Sequence, residues 1–231
     1  MTEFKTKKRR YANNTSLTIA VPKRGDGFVR ILAGQWRKSL VPVALLDGLR
    51  PTGERVRETV FDWLYHLFSG EFTHVAVLDL FAGSGAMGLE AASRGANLVH
   101  WVDNNRLVVR TLRQVLERLK ADSTKCAVYQ EDAHDFISRN QAQYDVIFID
   151  PPFAKDWQKT IVSKVIGLMK SEGVLYVESP ERGLDDEVIE ALGLVRIRQG
   201  KAGAVVYELY ARQGSVMSTK AKLPKVKKGK Q

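Results

Sequence analysis

VLDLFAGSGAMG, residues 77–88, is the stretch that decides the fold of this 231-residue chain. Together with the two residues before it, its first part is an apolar run typical of a buried strand over 75–80, and glycines follow at once. Glycine permits a tight turn and lets a ligand approach the backbone. The helix predicted over 85–94 presents free N–H groups to that ligand. We therefore expect a binding crevice at the carboxyl end of a parallel sheet.

Outward from this stretch, short apolar runs alternate with helical patterns. Further strands are predicted over 98–103, 126–131, 144–150 and 173–179. The helices between them are predicted over 105–119, 133–140, 157–169 and 184–192. A hairpin of strands 194–199 and 204–211 closes the series. Such alternation predicts an α/β fold, with a mostly parallel sheet covered by helices on both faces.

The chain divides into four predicted segments. Residues 1–28 are polar and basic and are expected to form a flexible arm, and residues 29–70 a small β/α extension. In that extension we predict a strand from Phe28 and a helix over 54–68 with Thr52 as its N-cap. Residues 71–212 form the predicted catalytic domain, and the Lys-rich residues 213–231 a disordered tail.

The net charge of +10 is concentrated at the two ends of the chain. Residues 1–30 hold eight basic side chains against two acidic ones, and residues 215–231 hold six lysines and no acid. Lysine and arginine gain free energy on nucleic acid by releasing condensed counterions, so these ends favour a polyanionic partner. Solvated tails are the alternative reading, because charge alone does not name a function.

Several classes of site and location are disfavoured by composition. Cys126 is the only cysteine, which excludes an intrachain disulfide and a multi-cysteine zinc site. The four histidines lack metal-ligand spacing, so we expect no metal. The sequence contains no apolar run of about 18 residues, the length that spans a bilayer. We expect a cytoplasmic protein with no membrane partner.

The glycine turn leaves two cofactors open. Gly83-x-Gly85-x-x-Gly88 fits the dinucleotide fingerprint, and Asp103 follows at a suitable distance, so NAD and S-adenosylmethionine both remain possible. Asp79 favours S-adenosylmethionine. An acidic residue just before the glycines would face a pyrophosphate unfavourably, whereas it suits the cationic sulfonium and amino groups of S-adenosylmethionine.

Acidic residues also end the next two predicted strands. Asp103 is placed to accept hydrogen bonds from the ribose hydroxyls, and Asp132 from the adenine amine. Because the carboxyl ends of parallel strands lie at one edge, three such carboxylates converge on one crevice. The predicted cofactor-binding residues are Asp79, Phe81, Ala82, Gly83, Ser84, Gly85, Asp103, Asn104, Asp132 and Ala133.

The predicted strand 144–150 ends in Asp150-Pro151-Pro152-Phe153, the predicted catalytic residues. Two prolines hold an extended backbone and donate no N–H, so the loop presents acceptors only. The Asp150 carboxylate and the Pro151 carbonyl could accept from the two N–H groups of an exocyclic base amine, orienting its lone pair toward a methyl donor. Phe153 could stack on a base that is extruded or single-stranded.

These motifs together resemble a known family. Asp79 to Gly85 with Asp150-Pro151-Pro152-Phe153 is similar to the class I (Rossmann-like) amino-methyltransferases. The pieces that narrow the resemblance to RsmD-type 16S ribosomal RNA guanine-N2 methyltransferases, over about residues 29–211, are Gly34-x-Trp36-Arg37, Arg50-Pro51-Thr52 and Arg55-Val56-Arg57-Glu58. The resemblance implies a seven-stranded sheet whose last strand is antiparallel, and S-adenosylmethionine as methyl donor. It also implies guanine 966 of the small-subunit rRNA as substrate, on an assembled or partly assembled subunit.

The extension carries the residues that we expect to bind RNA. Arginine clamps phosphates and an exposed Trp can stack on a base. The candidates are Trp36, Arg37, Lys38, Arg50, Arg55 and Arg57, and we expect Arg50 to lie nearest the reacting base. Trp36 could equally pack in the core. Arg55 and Arg57 cannot share a helix face, since they are two residues apart. Glu178, after an apolar strand, is a further candidate for the base pocket.

Three other functions remain open. An adenine-N6 methyltransferase on DNA or RNA would use the same Asp-Pro-Pro-aromatic chemistry, and no residue separates guanine from adenine by pattern alone. A non-catalytic RNA-binding assembly factor is another possibility, but such a protein would not need the cofactor and catalytic motifs, which are intact in this sequence. An NAD-dependent dehydrogenase would need a substrate domain for which 231 residues leave little room. We expect a monomeric enzyme.

Overall fold

The computed structural model describes residues 27–43, 52–151, 158–180 and 183–220. The predictions for the N-terminal arm, for the tail beyond residue 220 and for the candidates Arg50, Pro152 and Phe153 lie outside the described residues. The predicted division between an extension and a catalytic domain can be followed from residue 27 onward.

The extension begins with a small sheet of its own. Strands β1 (Phe28–Arg30) and β2 (Leu40–Pro42) pair antiparallel. Helix α1 (Glu54–Leu67) follows and buries one face, on which Val56, Val60 and Leu64 lie on successive turns. The predicted N-cap is wrong: Gly53 occupies that position, and Thr52 instead turns its hydroxyl toward the main sheet.

A seven-stranded sheet forms the centre of the molecule. Its strands are β3 (Ala76–Asp79), β4 (Leu98–Asp103), β5 (Cys126–Gln130), β6 (Tyr144–Ile149), β7 (Met169–Pro180), β8 (Leu194–Ala202) and β9 (Val205–Arg212). They lie in the order β5-β4-β3-β6-β7-β9-β8, and β9 runs opposite to the other six strands. The predicted seven-stranded sheet with an antiparallel last strand is confirmed.

Helices cover both faces of this sheet. They are α2 (Ala86–Ser93), α3 (Arg106–Arg118), α4 (Ala133–Arg139), α5 (Ser163–Val165), α6 (Asp186–Ala191) and α7 (Val216–Lys220). The core on one face joins α1, α2 and α3 to β3, β6 and β7. The core on the other face joins α4, α5 and α6 to the same strands. Within the described ranges, no helix is both long enough and apolar enough to cross a bilayer.

Two segments differ from the pattern-based expectation. The predicted helix over 157–169 is a π-turn (Gln158–Val162), the short α5 and a 3₁₀ turn (Ile166–Leu168), and β7 already begins at Met169. Apolar spacing does not distinguish these winding modes. The disordered-tail prediction is wrong for residues 216–220, because α7 is ordered there: the Lys220 ammonium donates to the Leu67 carbonyl at 3.1 Å.

The extension is held on α2 by a buried acid. The fully buried Glu90 carboxylate accepts from the backbone amides of Leu32 at 2.8 Å and Ala33 at 3.0 Å. The buried Arg57 guanidinium lies 3.7 Å from it and also donates to the Arg30 carbonyl at 2.9 Å. Gly34 has a φ of +79°, and a Cβ there would lie 1.8 Å from the Ser93 carbonyl oxygen. The extension therefore docks in one close arrangement.

This arrangement makes Glu90 a stability determinant that can be tested. Glu90→Ala leaves the Arg57 charge and two backbone amides without their acceptor in the interior, and we expect a loss of about 3–5 kcal/mol in the free energy of unfolding. Urea denaturation of wild type and variant measures it. The matched control is Glu117→Ala, which removes an exposed acid from α3 and should cost less than about 0.5 kcal/mol. A loss below 1 kcal/mol for Glu90→Ala contradicts the assignment.

Candidate active site

The site lies where the chain changes direction across the sheet. From β3 the chain continues through α2 to β4 on one side, whereas β6 leads to β7 on the other. Because the connections diverge here, a crevice opens at the carboxyl ends of β3 and β6. The Leu80 amide donates to the Phe148 carbonyl at 3.1 Å and keeps the two strand ends adjacent.

Glycines shape the turn that floors this crevice. Gly83 and Gly85 have φ of +50° and +70°, which favour glycine, and Gly85 is the N-cap of α2. A Cβ on Gly85 would lie 2.4 Å from Leu112, and one on Gly88 would lie 2.2 Å from the Trp101 indole. Both glycines are therefore required for α2 to pack against β4 and α3 while its N-terminus faces the crevice.

Asp79 lies buried beneath this turn. Its side chain is 5% exposed, and its Oδ2 accepts from the Gly88 amide at 3.0 Å. Burial raises the pKa of Asp79 to about 7, and the negative charge of Asp103 adds to the effect. Asp103 itself accepts from the Gly83 amide at 2.9 Å and the Asn105 amide at 2.8 Å. The two predicted carboxylates thus brace the glycine turn from below and from the side.

A second acidic pair lies at the ends of β6 and β7. Burial, followed by the charges of Glu178 and Asp79, raises the pKa of Asp150 to about 8. Glu178 is 9% exposed, and its Oε2 accepts from the Tyr176 hydroxyl at 2.8 Å and the Thr52 hydroxyl at 3.3 Å. Burial also raises the pKa of Glu178. No basic side chain among the described residues forms an ion pair with any of these acids, so the edge suits a cationic ligand.

One cleft collects six of the predicted cofactor and catalytic residues. From the predicted set, the cleft is lined by Asp79, Phe81, Ala82, Gly83, Ser84 and Asp150. The lining residues that sequence reasoning did not assign to it are Thr52, Ala86, Met87, Phe148 and Tyr176. The apolar residues among them repeat at the spacing of a strand or a helix, and this pattern predicts only that they pack in the core. Pro151 is buried directly after Asp150.

Other predicted residues lie beside this cleft. Asn104 lines an open groove at the start of α3 with Asn105, Arg106, Leu107 and Arg110. Asp132 is exposed at the end of β5, where its carboxylate accepts from the His134 amide at 2.7 Å and caps α4. Ala133 is buried behind it. Ribose and adenine contacts by Asp103, Asn104 and Asp132 stay predictions.

The structure corrects two of the RNA-contact predictions. Arg57 is 1% exposed and is occupied by Glu90 and backbone carbonyls, so it holds the extension in place and has no surface for RNA. Trp36 is 9% exposed and belongs to the core beside α2, which leaves little of its ring for stacking on a base. Arg37, Lys38 and Arg55 are exposed and stay candidates.

Comparisons with known proteins agree with this architecture. The family model described as conserved hypothetical protein 95 matches residues 29–211. Ribosomal RNA small subunit methyltransferase D of Haemophilus influenzae (strain Rd) is 36% identical over 189 residues, covering 80% of this chain and 94% of that protein. The protein of the same name from Escherichia coli K12 is 37% identical over 192 residues, covering 82% and 92%. The solved structure of Escherichia coli yhhF, named as a methyltransferase, matches with a TM-score of 0.68 and 35% identity, covering 81% of this chain and 99% of that one.

The raised pKa of Asp150 predicts how stability depends on pH. An acid whose pKa is higher in the folded state binds its proton more tightly there, so the fold loses stability as pH rises from about 4 to about 8. Asp150→Asn removes this penalty. We expect its free energy of unfolding to exceed the wild-type value by at least about 1 kcal/mol at pH 9 and by a smaller amount at pH 5, where most of the penalty has not yet developed.

Urea titrations at both pH values measure this difference. Asp62→Asn, on the exposed face of α1, is the control and should change nothing at either pH. A variant that is equally stable or less stable than wild type at pH 9 contradicts the assignment of Asp150 as a carboxyl group destabilised by burial.

Proposed function

Since the chain belongs to the conserved hypothetical protein 95 family, and its relatives are named as small-subunit rRNA methyltransferases, we propose that it transfers a methyl group from S-adenosylmethionine to the exocyclic N2 of a guanine in 16S rRNA. By the resemblance of its motifs the guanine is number 966, on an assembled or partly assembled small subunit. The observation that carries the proposal is the cluster of buried and half-buried acids at the carboxyl edge of β3, β6 and β7, with Asp150-Pro151 at its centre.

The donor groups present fit this cofactor. When bound, S-adenosylmethionine supplies an electrophilic methyl group on a cationic sulfonium. Asp79 is buried and Asp150 half-buried, and neither has a basic partner among the described residues, which favours a ligand that brings positive charge. The turn from Phe81 to Gly85 leaves its backbone open to a close ligand, and Asp103 at its side is proposed to hold the ribose hydroxyls. Asp132 is proposed to hold the adenine amine.

The reaction depends on how the base amine is held. The lone pair of an exocyclic amine is delocalised into the ring, so the nitrogen must be turned toward the methyl group as it becomes tetrahedral. Asp150 and the Pro151 carbonyl are proposed to accept its two N–H groups. A nitrogen–carbon bond forms as the sulfur–carbon bond breaks, and the nitrogen must then lose a proton. Asp150 can receive it, because burial gives this carboxylate a raised pKa of about 8.

The RNA is proposed to reach this cleft over the extension. Arg37 and Lys38 lie exposed between β1 and β2, and Arg55 is exposed in the first turn of α1. Thr52, next to the proposed phosphate contact Arg50, lines the cleft itself. Pro152 and Phe153 are proposed to continue the acceptor loop and to stack on the base. The extension therefore carries exposed positive charge, while the interior of the cleft is acidic.

The first experiment tests donor, reaction and base together. The protein is incubated with radiolabelled S-adenosylmethionine and small subunits that lack their methylations, and the digested nucleosides are separated. Label in N2-methylguanosine is the expected result. Label in N6-methyladenosine, or in no nucleoside while the cofactor still binds, overturns the proposal.

Asp150→Asn separates an enzyme from a non-catalytic assembly factor. Its amide can still accept an N–H through Oδ1 but cannot take the proton, so we expect kcat to fall about 10²–10³-fold. Binding to the small subunit should stay within about threefold of wild type, as measured by filter binding. Asp62→Asn again serves as the control, with unchanged kcat. An unchanged kcat for Asp150→Asn contradicts the assigned role.

Cofactor affinity should rise with pH. The carboxyl groups of Asp79 and Asp150, with pKa values of about 7 and about 8, must lose their protons to face a sulfonium. We expect the affinity for S-adenosylmethionine to rise at least about tenfold from pH 6 to pH 8.5. The affinity for S-adenosylhomocysteine, whose sulfur is uncharged, should rise less. Calorimetric titrations compare the two ligands. Equal pH dependence for both ligands argues against carboxylates beneath the sulfonium.

A further inference from the structure

Asp150 and Glu178 lie side by side although they are distant in sequence. Strands β6 and β7 are parallel and pair Phe148 with Tyr176 and Ile149 with Val177. The next residues on the two strands are Asp150 and Glu178, at neighbouring positions about 4.8 Å apart across the sheet. Side chains alternate along a strand, so both acids share the face of Phe148 and Tyr176, whose ring centroids are 5.6 Å apart.

Glu178 is held in one orientation with part of its carboxylate free. The hydroxyls of Tyr176 and Thr52 both donate to Oε2. Among the described residues, nothing donates to Oε1. Both of the hydroxyls that hold Glu178 belong to residues that line the cleft. A carboxylate that accepts from two fixed hydroxyls presents its remaining oxygen as an acceptor in a defined direction.

A second buried glutamate, Glu208, provides a comparison, because its carboxylate is fully paired within the protein. Glu208 on β9 is fully buried, and both of its oxygens are occupied: Arg196 and Gln199 donate to Oε1, and Tyr210 donates to Oε2. Glu178 has neither a cationic partner nor a donor for its second oxygen in the described part of the chain. This second oxygen of Glu178 is therefore left as an acceptor to which a substrate N–H can donate.

Guanine and adenine differ at N1, the ring nitrogen beside the carbon that carries the exocyclic amine. Guanine carries a donor, N1–H, beside the N2 amine, whereas the N1 of adenine, beside its N6 amine, is a lone-pair acceptor. Two adjacent carboxylates therefore match the paired donors of guanine. They would set a carboxylate oxygen against the N1 lone pair of adenine, which leaves both acceptors without a hydrogen.

We propose that Glu178 is a specificity-determining residue, whose Oε1 accepts a hydrogen bond from N1–H of the guanine that Asp150 holds by its N2 amine. This inference rests on the proposed function and adds to it the reason why the site takes guanine and rejects adenine. Thr52 and Tyr176 are then positioning residues, because they act through the carboxylate that they orient.

The test uses a base that keeps the amine and lacks the N1 hydrogen. Small subunits are reconstituted from 16S rRNA that carries either guanine or 2-aminopurine at the modified position, and kcat/KM is measured on both. We expect wild type to prefer guanine by about 10²-fold or more, since a site built to bind an N–H rejects analogues that lack it. In Glu178→Gln the carboxamide can turn its NH₂ toward N1 of 2-aminopurine, and we expect the preference to fall at least tenfold.

The controls separate specificity from folding and from the proposed function. Glu208→Gln also alters a buried glutamate and should leave the preference unchanged. A purely structural role of Glu178 would lower both rates and keep their ratio, and that result overturns the inference. Failure of wild type to methylate guanine at all would instead refute the proposed function. Should Glu178→Gln not fold, as judged by its melting curve, the wild-type ratio decides, because equal rates on the two bases also overturn the inference.

Discussion

The main constraint on this site is that several carboxylates lie close together at one edge of the central sheet. Asp79, Asp150 and Glu178 share one face of the sheet, and burial raises the pKa of each. The mutual charge of such groups disfavours the folded state. They stay close because β3, β6 and β7 are neighbours in a sheet packed on both faces, so the backbone fixes positions that the side chains alone would not adopt. A cationic ligand would relieve the repulsion.

Helix α2 connects the two functional sides of the molecule. Its N-terminus, opened by the left-handed Gly85, borders the cleft, and its last turns carry Glu90 and Ser93, which receive the extension. Eight residues therefore join the proposed cofactor turn to the segment that bears Arg37 and Lys38. Because Glu90 and Arg57 are buried, movement of the extension relative to the cleft would break charged contacts in the interior.

Local sequence patterns predicted most of the strands and helices. They failed where the type of helical turn or the burial of a side chain depends on residues distant in sequence. The strands over 98–103 and 144–149 are found where their apolar runs end in acids. The helix predicted over 157–169 is instead irregular, since apolar spacing does not separate π, α and 3₁₀ turns. Arg57 looked like a surface cation because its buried partner, Glu90, lies on another helix. Trp36 has no periodic neighbours that would show its burial.

By itself, the sequence determined the parts of the site that one continuous segment builds. Local chemistry predicts three of these parts: the glycine turn after a buried strand, the acid before that turn, and the Asp150-Pro151 acceptors. The same motifs also carried the family resemblance. Only the tertiary structure decided which acids meet, because proximity across strands depends on sheet order and register. Glu178 read in sequence is one carboxylate at a strand end. In the fold it lies beside Asp150, its Oε2 accepts from Thr52 and Tyr176, and burial raises its pKa, since pairing and pKa are set through space.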